Sequence, residues 1–201
     1  MGGTKLSALL KLIYDWTMGL SSHRHAVRWL AAVSFAESSF FPIPPDVMLI
    51  PMILAQRART WTFAALCTCA SVLGGVAGYG IGFWIFESVG RPIVELYGYA
   101  DEFSRFQDYY QAHGAWVVAV FALTILPYKV VTIASGVAVL EPISFITASV
   151  LGRGIRFFGV AALLRYFGPQ IRLFIEARLG LVTTVFVVLL VAGFFIIKVM
   201  V

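Results

Sequence analysis

Charge is scarce in this chain. Asp, Glu, Lys and Arg make up 12% of its 201 residues, against about 25% in a soluble globular domain, and the mean hydropathy is +0.90. A water-soluble fold with a charged surface is thereby excluded, and the composition is that of an integral membrane protein. Acidic residues are scarcer than basic ones, 10 against 15, for a net charge of +5. The basic residues are scattered between apolar segments rather than gathered into a stripe, which argues against a nucleic-acid partner and for topology setting and contact with anionic headgroups. Cysteine is limited to Cys67 and Cys69, which point in different directions on a helix, so neither a disulfide nor a metal pair is expected. His23, His25 and His113 fall near segment ends without ligand-like spacing, so no metal site is expected, and no cofactor either. No nucleophile, base and orienting residue are recognisable together, and the chain does not read as an enzyme.

What is present is apolar sequence in lengths suited to a bilayer, where a spanning helix takes about 20 residues. Trp61 to Glu87 and Leu181 to Lys198 qualify without strain, and Ile143 to Arg165 qualifies if Arg153 and Arg156 are tolerated inside it. Two further apolar stretches are broken by proline: His25 to Ala55 at "FPIPP", with Pro42, Pro44 and Pro45, and Ala115 to Leu140 at "LPYK", with Pro127. Proline removes a backbone donor and clashes with the preceding turn, so neither stretch is expected as one straight helix. Each is either a kinked span or a re-entrant hairpin. The positive-inside rule does not separate these, because exchanging one for the other leaves the Lys/Arg tally unchanged. Two hints favour hairpins: His25 to Ala55 would make a helix of about 46 Å, too long for a core of roughly 30 Å, and Glu87 to Asp108 carries five acids against two arginines.

With hairpins, the expected fold class is an all-α integral membrane protein of one domain, an inverted repeat of two hairpins each followed by a spanning helix. Its parts are an interfacial N-terminal helix (1–24), the first hairpin with its span (25–87), an interfacial helix (101–113), the second hairpin with its span (115–165), an interfacial helix (168–179) and a C-terminal span (181–198). Gly74, Gly78 and Gly82 recur every four positions and predict close helix packing.

Ionisable groups at membrane depth are costly and point to function. Glu37 and Asp46 flank the first break, Lys129 sits at the second, and Arg153 and Arg156 fall inside an apolar span. Three cations against two anions leave a positive surplus that suits an anionic group such as a lipid phosphate. Arg153 and Arg156, at i and i+3, share a helix face, and a guanidinium fork matches phosphate oxygens. The competing reading is a buried network that only pins the breaks to the helices. Asp46 also fits as a helix cap, and Ser38, Ser39 and Ser135 fit as partners for loosened backbone.

"FAESSFFPIPPDVMLIP" resembles the acidic, proline-rich signature of the DedA family, also called the VTT or SNARE-associated membrane family. "LPYKVVTIASG" followed by "GRGIRFF" is similar to its YqaA-like branch. The resemblance implies two oppositely oriented re-entrant hairpins and movement of lipids such as undecaprenyl phosphate and phospholipids between leaflets, with proton coupling. Glu37 and Asp46 match the family's two acidic positions. Many members carry two arginines around the second proline; here Thr124 and Ile125 precede Pro127, and Lys129 is the cation after it. The expected function is therefore a flippase or scramblase of a bacterial-type inner membrane, with Glu37 and Asp46 in coupling and Lys129, Arg153 and Arg156 on the phosphate. Its partners are membrane lipids, with protons and further copies of the chain left open. The alternatives are a proton-coupled transporter of an ion or small solute, and a membrane scaffold.

Overall fold

The computed structural model describes residues 25–40, 44–124 and 126–168, and every regular element among them is helical. The helices expected over 1–24, 168–179 and 181–198 lie outside these residues, save Gly168. Helix α1 is Ala26–Ser39 and α2 Asp46–Ala55; a short turn, Arg57–Arg59, leads into α3, Thr60–Ile85. A π-helical turn, Phe86–Gly90, joins α3 to α4, Arg91–Leu96, which is followed by α5, Ala100–Leu123, and α6, Tyr128–Val137. The last described helix, α7, is Pro142–Gly168. Among the described residues, two helices are long and apolar enough to cross a membrane: the continuous run Arg57–Leu96, built around α3, and α7.

Proline sets both breaks. Pro45 stands at the start of α2 with a helical backbone, where its fixed φ suits a helix beginning and its missing N–H is not needed. Pro127 is extended, with ψ 98°, at the start of α6. At the α6–α7 turn, the Gln111 side chain accepts from the Glu141 N–H at 3.3 Å and donates to the Val139 carbonyl. Glu141 then caps α7: Ser144, through its side chain and through its N–H at 2.7 Å, donates to the carboxylate and holds it below its usual range.

Side-chain contacts fix the relative directions of the helices. Ser34 Oγ donates to the Cys67 carbonyl and Ser38 Oγ meets Ser71 Oγ, both 33 residues apart, so α1 and α3 run in the same direction. Ala26 and Leu30, at the start of α1, share a buried cluster with Met52 and Ile53, at the end of α2, together with Phe63 of α3 and Phe157 of α7. In the second half Gln111 meets Glu141, 30 residues on, and Gly152 lies against Ala122 at the same separation, so α5 and α7 are also parallel. α7 runs opposite to α3, since Arg153 contacts Ser71 while Arg165 contacts Arg57.

The interfacial helix expected over 101–113 is not a separate element. α5 passes through Gly114 and continues to Leu123, because one glycine costs a helix interior only about 1 kcal/mol, and here Gly114 makes room for Tyr110 and Leu140.

Val139, between α6 and α7, has φ 53°. A β-branched side chain in the left-handed region costs roughly 1–2 kcal/mol, which outweighs the entropy glycine adds to the unfolded chain. Val139→Gly is expected to stabilise the protein by about 0.5 kcal/mol after that offset, read as a higher thermal midpoint in detergent.

Candidate functional site

The prolines that break the first apolar stretch leave a carboxylate on either side, and both face α7. Glu37, on the last turn of α1, accepts from Arg153 Nη2 at 2.5 Å. Asp46, the first residue of α2, accepts from Arg156 Nη2 at 2.6 Å. The i, i+3 spacing puts both arginines on one face of α7, as expected for a shared site, and each is matched to one carboxylate.

The two pairs differ in enclosure. The Arg153 side chain is 1% exposed and that of Glu37 14%, whereas Arg156 and Asp46 are 16% and 20% exposed. Arg153 also donates through Nε to Ser71 Oγ at 2.5 Å and through Nη2 to Ser38 Oγ at 3.3 Å. Its guanidinium lies over the Tyr128 ring at 4.7 Å and the Phe157 ring at 4.9 Å, and the Arg156 guanidinium approaches Phe157 at 5.4 Å. Aromatic faces attract cations and offset part of the lost hydration. No buried side-chain N or O among the described residues lacks a partner, the condition under which a buried charge network is stable.

Lys129 occupies the first turn of α6 and is half-buried; its carbonyl accepts from Thr132 Oγ1, which also reaches the Ser38 carbonyl at 3.2 Å. The break-forming prolines are placed at Pro44, Pro45 and Pro127, while Pro42 lies outside the described residues. The three glycines at four-residue spacing lie at helix crossings. A Cβ on Gly74 would stand 2.1 Å from the Phe35 carbonyl oxygen, one on Gly78 2.4 Å from Thr132 Oγ1, and one on Gly82 2.0 Å from the Ile133 carbonyl oxygen. The serines serve backbone as well as site: Ser39 Oγ reaches the Phe35 and Gly74 carbonyls and Ser135 Oγ that of Val131. Among the described residues no cluster of three or more His, Cys, Asp or Glu is arranged to hold a metal.

Sequence reasoning did not single out Ser71, Tyr128, Ser149 and Phe157. Tyr128 donates to Ser149 Oγ at 2.5 Å and thereby fixes the ring beneath Arg153. Ser71 had one available signal, a polar side chain within the longest apolar run.

No family model and no solved structure matches this chain. It is 39% identical over 186 residues to a protein of Haemophilus influenzae described as uncharacterized, an alignment covering 92% of this chain and 96% of that protein. It is 33% identical over 158 residues to an uncharacterized protein of Histophilus somni, covering 79% of this chain and 82% of the relative. The chain belongs to the same protein family as these two relatives.

Proposed function

We propose that this chain is a DedA-like transporter that moves phosphate-bearing lipids between the leaflets of a bacterial inner membrane. The observation that carries the reading is the double ion pair, Glu37–Arg153 and Asp46–Arg156, set among apolar helices and joining the first break to α7. Buried charge of this kind is unusual in a bilayer-sized fold and is by default functional. The re-entrant architecture is supported by the register: with α1 and α3 parallel, the chain returns between them through α2. At 10 residues, α2 is about 15 Å long, half of a roughly 30 Å core. α5, α6 and α7 repeat the arrangement, with α7 opposed to α3, as an inverted repeat requires.

In this reading, each arginine needs one anionic partner and is offered two. A carboxylate fills the role when the site is empty and a lipid phosphate when it is loaded. The more open pair, Asp46–Arg156, meets the headgroup first. Protonation of Asp46 or Glu37 removes the resident counter-charge, so proton uptake favours phosphate binding and couples the two. Ser71 and Ser38 hold the Arg153 guanidinium in place while its anionic partner changes. The protein acts by binding and exchange of partners, without covalent chemistry.

The test is leaflet exchange in reconstituted vesicles holding labelled phospholipid, an undecaprenyl phosphate analogue and uncharged diacylglycerol. Protein-dependent exchange is expected for the first two lipids, after subtraction of the spontaneous rate. Exchange of neither, together with proton-coupled uptake of a soluble ion, overturns the lipid reading in favour of solute transport. Arg156→Lys keeps the charge but loses the planar fork that grips two phosphate oxygens, and is expected to slow exchange about tenfold, the equivalent of one charge-assisted hydrogen bond of about 1.4 kcal/mol.

A further inference from the structure

Charge is segregated along the helices. Among the described acids, all but Glu37 and Asp46 fall toward one end: Glu87 and Glu95 after α3, Asp101, Glu102 and Asp108 on α5, and Glu141 before α7. The opposite end, where α1 and α3 begin and α7 finishes, carries Arg28, Arg57, Arg59 and Arg165 and no described acid.

Two of these arginines, Arg57 and Arg165, meet, and Arg59 lies on the same short turn as Arg57. Arg165 Nη1 donates to the Arg57 carbonyl at 2.8 Å, and its guanidinium lies 5.9 Å above the Trp61 ring, which stacks on Phe158. Arg57 Nη2 lies beside Gly168, 2.8 Å from where a Cβ there would stand. Arg57 and Arg59 are exposed, and no described carboxylate pairs with Arg57, Arg59 or Arg165. Cations gathered at one end with no described counter-charge favour an anion beside them. Trp61 and Tyr166 are exposed beside them, and Trp and Tyr mark the headgroup level of a bilayer. Guanidinium forks with an amphipathic aromatic at that depth suit a phosphodiester whose acyl chains continue along the apolar helix faces.

We propose that Arg57, Arg59 and Arg165, flanked by Trp61, form a binding site for anionic phospholipid headgroups. Four described arginines at this end, against Arg91 and Arg105 at the other, place it at the cytoplasmic leaflet. The site is separate from the Glu37–Arg153 network and requires an anionic lipid but no transport.

The experiment is thermal unfolding of the purified full chain in neutral detergent, with added phosphatidylglycerol, phosphatidylcholine or inorganic phosphate. Phosphatidylglycerol is expected to raise the midpoint by several degrees at low salt and progressively less as salt rises, while phosphatidylcholine and inorganic phosphate have little effect. Arg57→Gln/Arg59→Gln/Arg165→Gln should lose the difference between phosphatidylglycerol and phosphatidylcholine. Arg57→Gln/Arg59→Gln, which keeps the Arg165 bond to the Arg57 carbonyl, should lose most of it and decides the matter if the triple variant does not fold. An equal shift with inorganic phosphate, no shift in the wild type, or a full shift retained by the double variant overturns the proposal. Leaflet exchange of phosphatidylcholine reads the central site independently.

Discussion

Arg153→Ala is expected to destabilise the protein by about 3–5 kcal/mol, the usual consequence of removing one partner from a buried ion pair. Arg153 is the largest fully buried side chain among the described residues, and its loss empties a space bordered by Tyr128 and Phe157. It also strips the inner carboxylate, Glu37, of its cation and Ser71 of a donor. Glu37→Gln should cost less, because an amide still accepts from the guanidinium. The expected order of thermal midpoints in detergent is wild type, Glu37→Gln, then Arg153→Ala. The paired replacement Glu37→Leu/Arg153→Met removes both charges while keeping most of the volume, and should melt near or above the wild type, as apolar substitutes for buried ion pairs often do. Equal midpoints for Arg153→Ala and the wild type would mean that the pair is not formed in the folded protein.

The second large effect is expected where α6 crosses α3 with nothing but glycine between the backbones. Adding a Cβ at Gly82 brings it 2.0 Å from the Ile133 carbonyl oxygen, and adding one at Gly136 brings it 2.0 Å from the Tyr79 carbonyl oxygen. Both obstacles are backbone, so the helices themselves must separate, and such overpacking typically costs about 1–3 kcal/mol. Gly82→Ala and Gly136→Ala are each expected to lose stability on that scale, and the double variant less than their sum, because one displacement of α6 relieves both clashes. Gly80, which has open space around it, is the control: Gly80→Ala should be neutral or slightly stabilising through helix propensity. Additive losses would indicate two independent contacts.

Much of the architecture was legible because apolar length and proline are strong local signals. The span read over Trp61 to Glu87 is Thr60–Ile85 in the structure, and the interrupted stretches stop and restart at Pro45 and Pro127. The extent of α5 was not legible: Gly114 after a polar stretch reads as an end, yet the helix continues because Leu140 and Tyr110 fill the space that glycine leaves. In the site, the scarcity of charge made Glu37, Asp46, Arg153 and Arg156 conspicuous. Their pairing was not legible, since Arg153 and Glu37 lie 116 residues apart and their meeting depends on the direction of α7 against α3. Ser71 and Ser149 escaped notice for a related reason, as a serine in an apolar helix can bond to its own backbone and gives no sign of a distant partner.

Leaflet exchange by Glu37→Leu/Arg153→Met, in vesicles shown to contain folded protein, separates a working charge site from one that only fastens helices together. If phosphate-bearing lipid moves by exchanging partners with this network, the double variant keeps its melting temperature and exchanges labelled phospholipid no faster than protein-free vesicles. Exchange at the wild-type rate by that variant would contradict a functional role for the pair and leave it a structural fastening.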